Sequence, residues 1–411
     1  VGETVIAPTS QSSLRGTGFW WLWLNAAVLG LVVSADRFAF IWLVEDVLGS
    51  PTWASGLIVF ALGAPVCAFV LTAGAMIDRH DRRRIMMSTQ ALGTAVLSVA
   101  AVLVWTGVMS LGVAVIVAVS FGCVVAFALP VRSALVPVLV GPANVMHAVV
   151  VMTVGANIAM IAGPLLVGGV IDSHGVGWAF ATQAGCFAVG LFTASRLVIP
   201  PHEVVERRPS VRTDIAEALG FIWHHPELRA LFALLCVGGG LLGGGSFTLL
   251  PRIARDHFGQ SADDAARLFA LVGLGMVTTS LVLIRYRSRL RRRGLIFMGF
   301  MVVATTDQIL QGLAPSFLVL QVLLFVWGLN GGLYLNLNQS LIQELTPLAR
   351  MGRVMALNAL VNAGLLPLGG LVAGVLASFI GPRPTLCVFG AAGLVCAVVA
   401  LRRAHGLRRL A

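Results

Sequence analysis

Two carboxylates stand where a charge is costly. Asp36 and Asp307 each fall inside a long apolar run. On insertion scales an ionised acid at the centre of a bilayer costs about 2.5 to 3.5 kcal/mol, so an acid kept there needs a reason. The chemistry open to it is reversible protonation, with a hydrogen ion taken up from one side and given to the other. Arg37 follows Asp36 directly, but adjacent residues point in different directions on a helix, so the two need not neutralise each other. The competing reading of Asp36 is a structural acid, hydrogen-bonded near the end of its helix. For Asp307, the neighbouring Thr305, Thr306 and Gln308 would equally make a polar patch between helices.

Asn330, Tyr334 and Asn338 recur every four residues and so share one stripe of a helix, with Trp327 a turn earlier. Uncharged polar groups on one face suit a cavity for an amphipathic solute, and helix–helix hydrogen bonding accounts for them equally well. Gly238, Gly239, Gly240, Gly243, Gly244 and Gly245 crowd a single run. Each weakens a helix by nearly 1 kcal/mol relative to alanine, which predicts a bend or gate there, or close packing. No serine, histidine and aspartate have spacing fit for catalysis, and His80, His224, His225 and His257 read as loop or linker residues. The cysteines lie inside apolar runs without metal-ligand spacing, as small buried hydrophobes. An enzyme, a metal site and a cofactor are therefore not expected.

The elements that must position these residues follow from composition. The chain is 58% hydrophobic and 11% charged, with a mean hydropathy of +0.93, outside the range of soluble domains. About 20 apolar residues span a bilayer. By that measure twelve spans are expected, near 18–46, 53–76, 85–107, 110–133, 147–171 and 176–198, then 230–251, 264–284, 295–313, 316–340, 354–380 and 384–401. The fold class is an all-α integral membrane protein of twelve transmembrane helices in two pseudo-symmetric six-helix halves. The halves are 18–198 and 230–401, flanked by a segment 1–17 and a tail 402–411, with 199–229 as an amphipathic linker whose Ile215, Ala218, Leu219 and Trp223 share a face. The first seventeen residues are polar and the first apolar run is too long for a signal-peptide core.

The net charge of +11 comes from arginines between apolar runs, not on one amphipathic face, so anchoring explains it and nucleic acid is not an expected partner. All but Arg37, Arg252, Arg255, Arg267 and Arg383 fall at one side of a twelve-span arrangement. The positive-inside rule makes that side the cytoplasm, so both termini are expected there, in the cell inner (plasma) membrane. A weak repeat relates the charged stretch after the second span, Ile77 to Arg84, to the one after the eighth, Ile284 to Arg293. Duplicated halves with a site between them near the midplane are a common plan of secondary transporters.

Gly74, Asp78, Arg79, Arg82 and Arg83 carry the spacing G-x-x-x-D-R-x-G-R-R/K, with Asp81 in place of the inner glycine. This resembles the loop between the second and third helices of the major facilitator superfamily. In the fifth span, Gly163-Pro164 followed by Gly168-Gly169 is similar to the glycine–proline motif of that superfamily's exporters, tight packing alone being the alternative. Its drug and siderophore exporter branch is also resembled by Pro130-Val-Arg132 to Pro137, by Glu217 to Pro226, and by Gly352-Arg353-Val-Met. The resemblance implies alternating access, export of a small hydrophobic or amphipathic molecule, and Asp36 as the first-helix acid that exchanges protons, with Asp307 a second candidate. It also implies that Asp78 latches the two halves against the start of the eleventh helix, although the family's acid in the fourth helix is missing between Asp81 and Asp172. Protons, a small-molecule substrate and the bilayer are the expected partners, and the chain is expected to act as a monomer. An uptake symporter and a passive lipid scramblase are the competing functions.

Overall fold

In the computed structural model the described residues are 17–141, 144–198, 211–286 and 292–409. Twelve helices among them are long and apolar enough to cross a membrane. In chain order these are α1 (Thr17–Trp42, continued by a π-helical turn Leu43–Val47), α2 (Thr52–Arg79), α3 (Arg82–Trp105), α4 (Leu111–Val140), α5 (Val145–His174) and α6 (Val176–Ser195). A short helix α7 (Val211–His224) follows, then α8 (Pro226–His257), α9 (Ala262–Tyr286), α10 (Arg293–Leu313), α11 (Phe317–Leu345), α12 (Leu348–Ile380), α13 (Pro382–Arg403) and a last turn α14 (His405–Arg409). Every expected span has its helix, α7 is the linker helix, and α1–α6 and α8–α13 are the two sets of six. With an even number of crossings, Thr17 and Arg409 lie at one end of the bundle, here the terminal end. The turns after α1, α5, α8 and α12 lie at the other, the distal end.

The same local devices close corresponding helices in both halves. Ser110 and Ser316 cap α4 and α11, their hydroxyls accepting from Val113 N and Val319 N at 3.4 Å. Gly175 and Gly381 end α5 and α12 at φ 89° and 88°, a left-handed conformation that lets the next helix start at once. The first helix of each half ends in a π turn, Leu43–Val47 and Ile253–His257. Ser50 N then bonds Val44 O, and Gln260 N bonds Ala254 O, both at 3.0 Å. This second repeat was not evident in hydropathy, because it resides in turn geometry.

The halves meet along two seams, α2 against α12 and α5 against α9. Both depend on residues without bulk. A Cβ on Gly374 would stand 2.8 Å from Gly56 Cα, one on Gly168 would meet Ala266 Cβ, and one on Gly63 would run into the Pro367 ring. Without water to drive helices together, such close backbone contact is what gives membrane helices their attraction.

The charged stretch after the second span is less of a loop than its composition implied. α2 runs to Arg79 and α3 starts at Arg82, leaving only His80 and Asp81 between them. Asp81 is the N-cap of α3, accepting from Arg83 N at 2.8 Å and Arg84 N at 3.4 Å. The departure from glycine in the motif therefore has a local cause. Arg82 Nη1 donates to Ala134 O on α4 (3.3 Å) and Arg83 Nη2 to Ser195 O, the last residue of α6 (2.8 Å). These arginines tie helix ends together within the first half. Gly74 faces open space, and the side chains of Asp78 and Arg79 lie outside the described set, so the expected cross-half latch does too.

α7 presents two apolar stripes. Ala218, Phe221 and Ile222 are buried against the bundle, whereas Leu219 and Trp223, expected on the same face as Ala218, are 52% and 70% exposed. The helical spacing was right and the packing face is rotated from the expected one.

Candidate functional site

α8 is continuous but widens into a π helix over Val237–Gly244, where five of its glycines lie. The expected bend is a swollen turn. Its glycines let α12 in, with Gly240 O against Gly369, and bring the Tyr334 ring onto Gly238. The widened turn also leaves carbonyls without an in-register donor. Gln308 Nε2 supplies one, to Leu241 O at 3.0 Å and Leu242 O at 3.3 Å.

Beside this turn lies a cavity of about 270 Å³. Its wall is mostly second-half: Gly238, Gly239, Gly243 and Phe247 from α8, Met276 from α9, Phe297 and Met301 from α10, Trp327, Asn330 and Tyr334 from α11, and Asn362 from α12. The first half contributes Arg37 from α1 and Met160 from α5. The cavity extends from the middle of the bundle toward the terminal end. Aromatic and thioether groups dominate it, a surface that adapts to varied apolar shapes.

Of the expected stripe, Asn330 and Tyr334 line the cavity. Asn330 Nδ2 bonds Val326 O at 2.9 Å while its buried Oδ1 has no partner, and Tyr334 donates to Leu235 O at 3.3 Å. Asn338 is buried outside the wall, its Oδ1 also unpartnered. Arg37, not Asp36, is the charged side chain that reaches the wall, and it makes no side-chain hydrogen bond or ion pair among the described residues. Asp36, 7% exposed, accepts from Arg37 N at 2.6 Å. A 100° step per residue is the reason the two diverge. Asp307, 4% exposed, accepts from Gln311 Nε2 at 2.9 Å, and Ser246 donates to Gln311 Oε1 at 3.2 Å. The polar patch around it joins α10 to α8. Thr305 and Thr306 bond only backbone carbonyls of their own helix.

On its distal side the cavity is sealed. Phe38 from α1 meets Phe269 from α9 with ring centroids 5.5 Å apart, and Phe247 bridges from Phe269 to Trp327 at 5.6 and 5.2 Å. Beyond this plug, Arg255 of α8 pairs with Asp46 at 3.6 Å across the halves, and Arg252 Nη2 donates to Ser50 O at 3.3 Å. Asp172 at the end of α5 accepts from Ala262 N (2.8 Å) and Asp263 N (3.0 Å), so one half caps the first turn of a helix in the other. Glu45, 2% exposed, accepts from Ser55 Oγ at 2.6 Å, with its second oxygen buried and unpartnered. It is a third buried acid, absent from the sequence-based reading because it stands at the edge of its apolar run beside Asp46.

A second feature missed from sequence is a buried arginine in the first half. Arg132, 3% exposed, donates from Nε to Asn25 Oδ1 at 2.7 Å and from Nη1 to Ala128 O. Gln90 turns its amide oxygen to the guanidinium and its nitrogen to Phe187 O at 3.3 Å. Asn25 Nδ2 reaches Thr193 Oγ1 at 2.9 Å. Among the described residues no carboxylate is within ion-pair distance of Arg132. Asn25 in α1 and Gln90 in α3, amides inside apolar runs, were the available signal.

Gly163 and Pro164 are buried in α5. A Cβ on Gly163 would meet Leu31 O and Ser34 Oγ of α1, and Ser34 donates to Ala159 O at 2.8 Å, next to the carbonyl that Pro164 leaves without a donor. Gly168 admits α9. The motif thus lets α5 touch a helix in each half.

Solved structures share this architecture. A POT family transporter superposes with a TM-score of 0.76 at 13% identity, covering 97% of this chain and 98% of that one. A variant of the nucleoside transporter NupG superposes with a TM-score of 0.77 at 12% identity, covering 93% and 98%. In sequence the chain is 28% identical to the multidrug efflux pump Tap of Mycolicibacterium fortuitum over 377 residues, 88% of this chain and 90% of the pump. It is 25% identical to the enterobactin exporter EntS of Escherichia coli O1:K1 over 382 residues, 87% and 85% of the two. Residues 8–408 match the model of the transmembrane secretion effectors. With twelve spanning helices around an aromatic cavity sealed on its distal side and a family match over nearly its whole length, the chain is a multi-pass membrane transporter, not an enzyme, and belongs to the transmembrane secretion effector family of the major facilitator superfamily.

Proposed function

We propose that the protein exports a small amphipathic molecule by alternating access, driven by protons moving inward. The observation that carries this reading is the cavity: apolar and aromatic, placed between the halves, closed at the distal end by contacts across them and extended toward the terminal end. With the terminal end in the cytoplasm, as the arginine distribution favours, this is a state ready to load from inside. The sequence relatives that are an efflux pump and a siderophore exporter support the outward direction. Arg37, the charged group on the wall, disfavours an organic cation as cargo.

Asp36 is the proposed proton-exchanging acid. It sits one residue from the wall in the helix whose distal end seals the cavity, so its charge state acts on both. A proton entering down 100 mV supplies about 2.3 kcal/mol, before any pH gradient. Asp307 is the second such acid, and Asp78 with Arg79, Arg82 and Arg83 the proposed latch at the terminal end. The test is uphill export of fluorescent amphiphiles from proteoliposomes under an imposed pH gradient. Asp36→Asn is expected to abolish uphill movement while downhill exchange persists. Uphill export unchanged in this variant would remove Asp36 from the mechanism.

A further inference from the structure

At the terminal end a second cavity of about 430 Å³ opens between the linker helix α7 and the start of α12. It is lined by Glu217, Phe221 and His224 from α7, by His225 between α7 and α8, and by Arg350 and Arg353 from the first turns of α12. The Arg350 guanidinium lies 4.8 Å over the Phe221 ring, which stacks edge-on with His225 at 4.5 Å. Arg353 pairs with Glu217, the acid among the lining residues, so the wall keeps a net positive charge. Its helix α12 also points its N-terminus this way, adding to the attraction for an anion. Beside the cavity, Leu219 and Trp223 leave α7 exposed on a stripe that no part of the described bundle covers, and Arg229 stands 5.9 Å over the Trp223 ring.

The geometry points to a binding site for an anionic phospholipid of the terminal-end leaflet, its phosphate held by Arg350 and His224 and its acyl chains laid along Leu219 and Trp223. Charge complementarity selects the headgroup. The apolar stripe beside the basic wall selects a lipid over a free anion, because a helix with one basic and one aromatic edge lies in a membrane surface. The site joins the linker to α12, which forms the α2 seam between the halves. A bound lipid therefore holds α7 against a helix whose seam must shift when the transporter changes state.

The full chain, purified in detergent with phosphatidylcholine and phosphatidylglycerol, would be read by native mass spectrometry, which needs no transport activity. Phosphatidylglycerol is expected to stay bound in preference to phosphatidylcholine. Arg350→Gln is expected to lower its retention about fivefold, the effect of one surface arginine on anionic lipid, and Arg350→Lys to keep it. Trp223→Ser is expected to weaken phosphatidylglycerol retention as well. Equal retention by wild type and Arg350→Gln would overturn the site, as would full displacement of the lipid by millimolar inorganic phosphate, which would make it a free-phosphate site.

Discussion

Among the described residues Arg132 is buried without a carboxylate and is held by neutral acceptors: Asn25, Gln90 and a carbonyl of its own helix. Hydrogen bonds to a charged group are worth about 1.5 to 3 kcal/mol, and removing the acceptor exposes the full cost of leaving that charge unpaired. Asn25→Leu should therefore destabilise the protein by about 2 kcal/mol and lower its melting temperature in detergent. A melting temperature equal to wild type would mean the guanidinium finds another acceptor. Individual residues also show where a linear reading stops. The acids at 36 and 307 were recognisable because a charge in an apolar run is conspicuous. Glu45 was not, since it borders Asp46 and a turn, although it is the more buried. Nor could the choice between Asp36 and Arg37 for the cavity wall be made, because it depends on the rotation of α1 against its neighbours.

Helices were the most legible level. Their positions followed from apolar runs, and Ser110, Ser316, Gly175 and Gly381 mark ends at matching places in the two halves. The π turns were not legible, because an extra residue in a helix turn has no composition of its own beyond glycine. Contact between helices is set by what is absent from them. Gly374→Leu would force α12 away from Gly56 at the distal end, an overpacking cost of about 1 to 3 kcal/mol borne by the distally closed state. Distal-end accessibility to a membrane-impermeant thiol reagent, at a cysteine placed on Ser50 (8% exposed in the closed distal end) in a background without the native cysteines, should rise. Gly185→Ala, where nothing lies within 4 Å, should leave it unchanged. Equal labelling in both variants would argue that the α2–α12 seam does not hold the distal end shut.

The whole molecule is a pair of six-helix sets held at the distal end by an aromatic plug, a cross-half ion pair and a helix cap. If alternating access is its mode of action, opening there must coincide with closing at the terminal end. Spin labels on Thr106 and Ser316 report the distal gap, and labels on Val198 and Leu348 the terminal one. Cargo and a pH gradient should move the two distances in opposite directions, and a change of both in the same direction would reject a rocking mechanism. The amino-acid sequence alone determined that the chain has twelve spans, about where each lies along the chain, and which family its motifs resemble, while helix ends such as Val140 and Leu348 lie six or seven residues beyond the apolar runs that announced them. It could do so because helix hydrogen bonds close within four residues and partition into lipid follows the local apolar run. Only the tertiary structure decided which side chains meet: Arg37 on the cavity wall, Arg132 among three other helices, and Arg255 of α8 on Asp46 at the end of α1. Those contacts join residues far apart in the chain, and each depends on the rotation of whole helices, which a single substitution elsewhere in the bundle can change without altering any span.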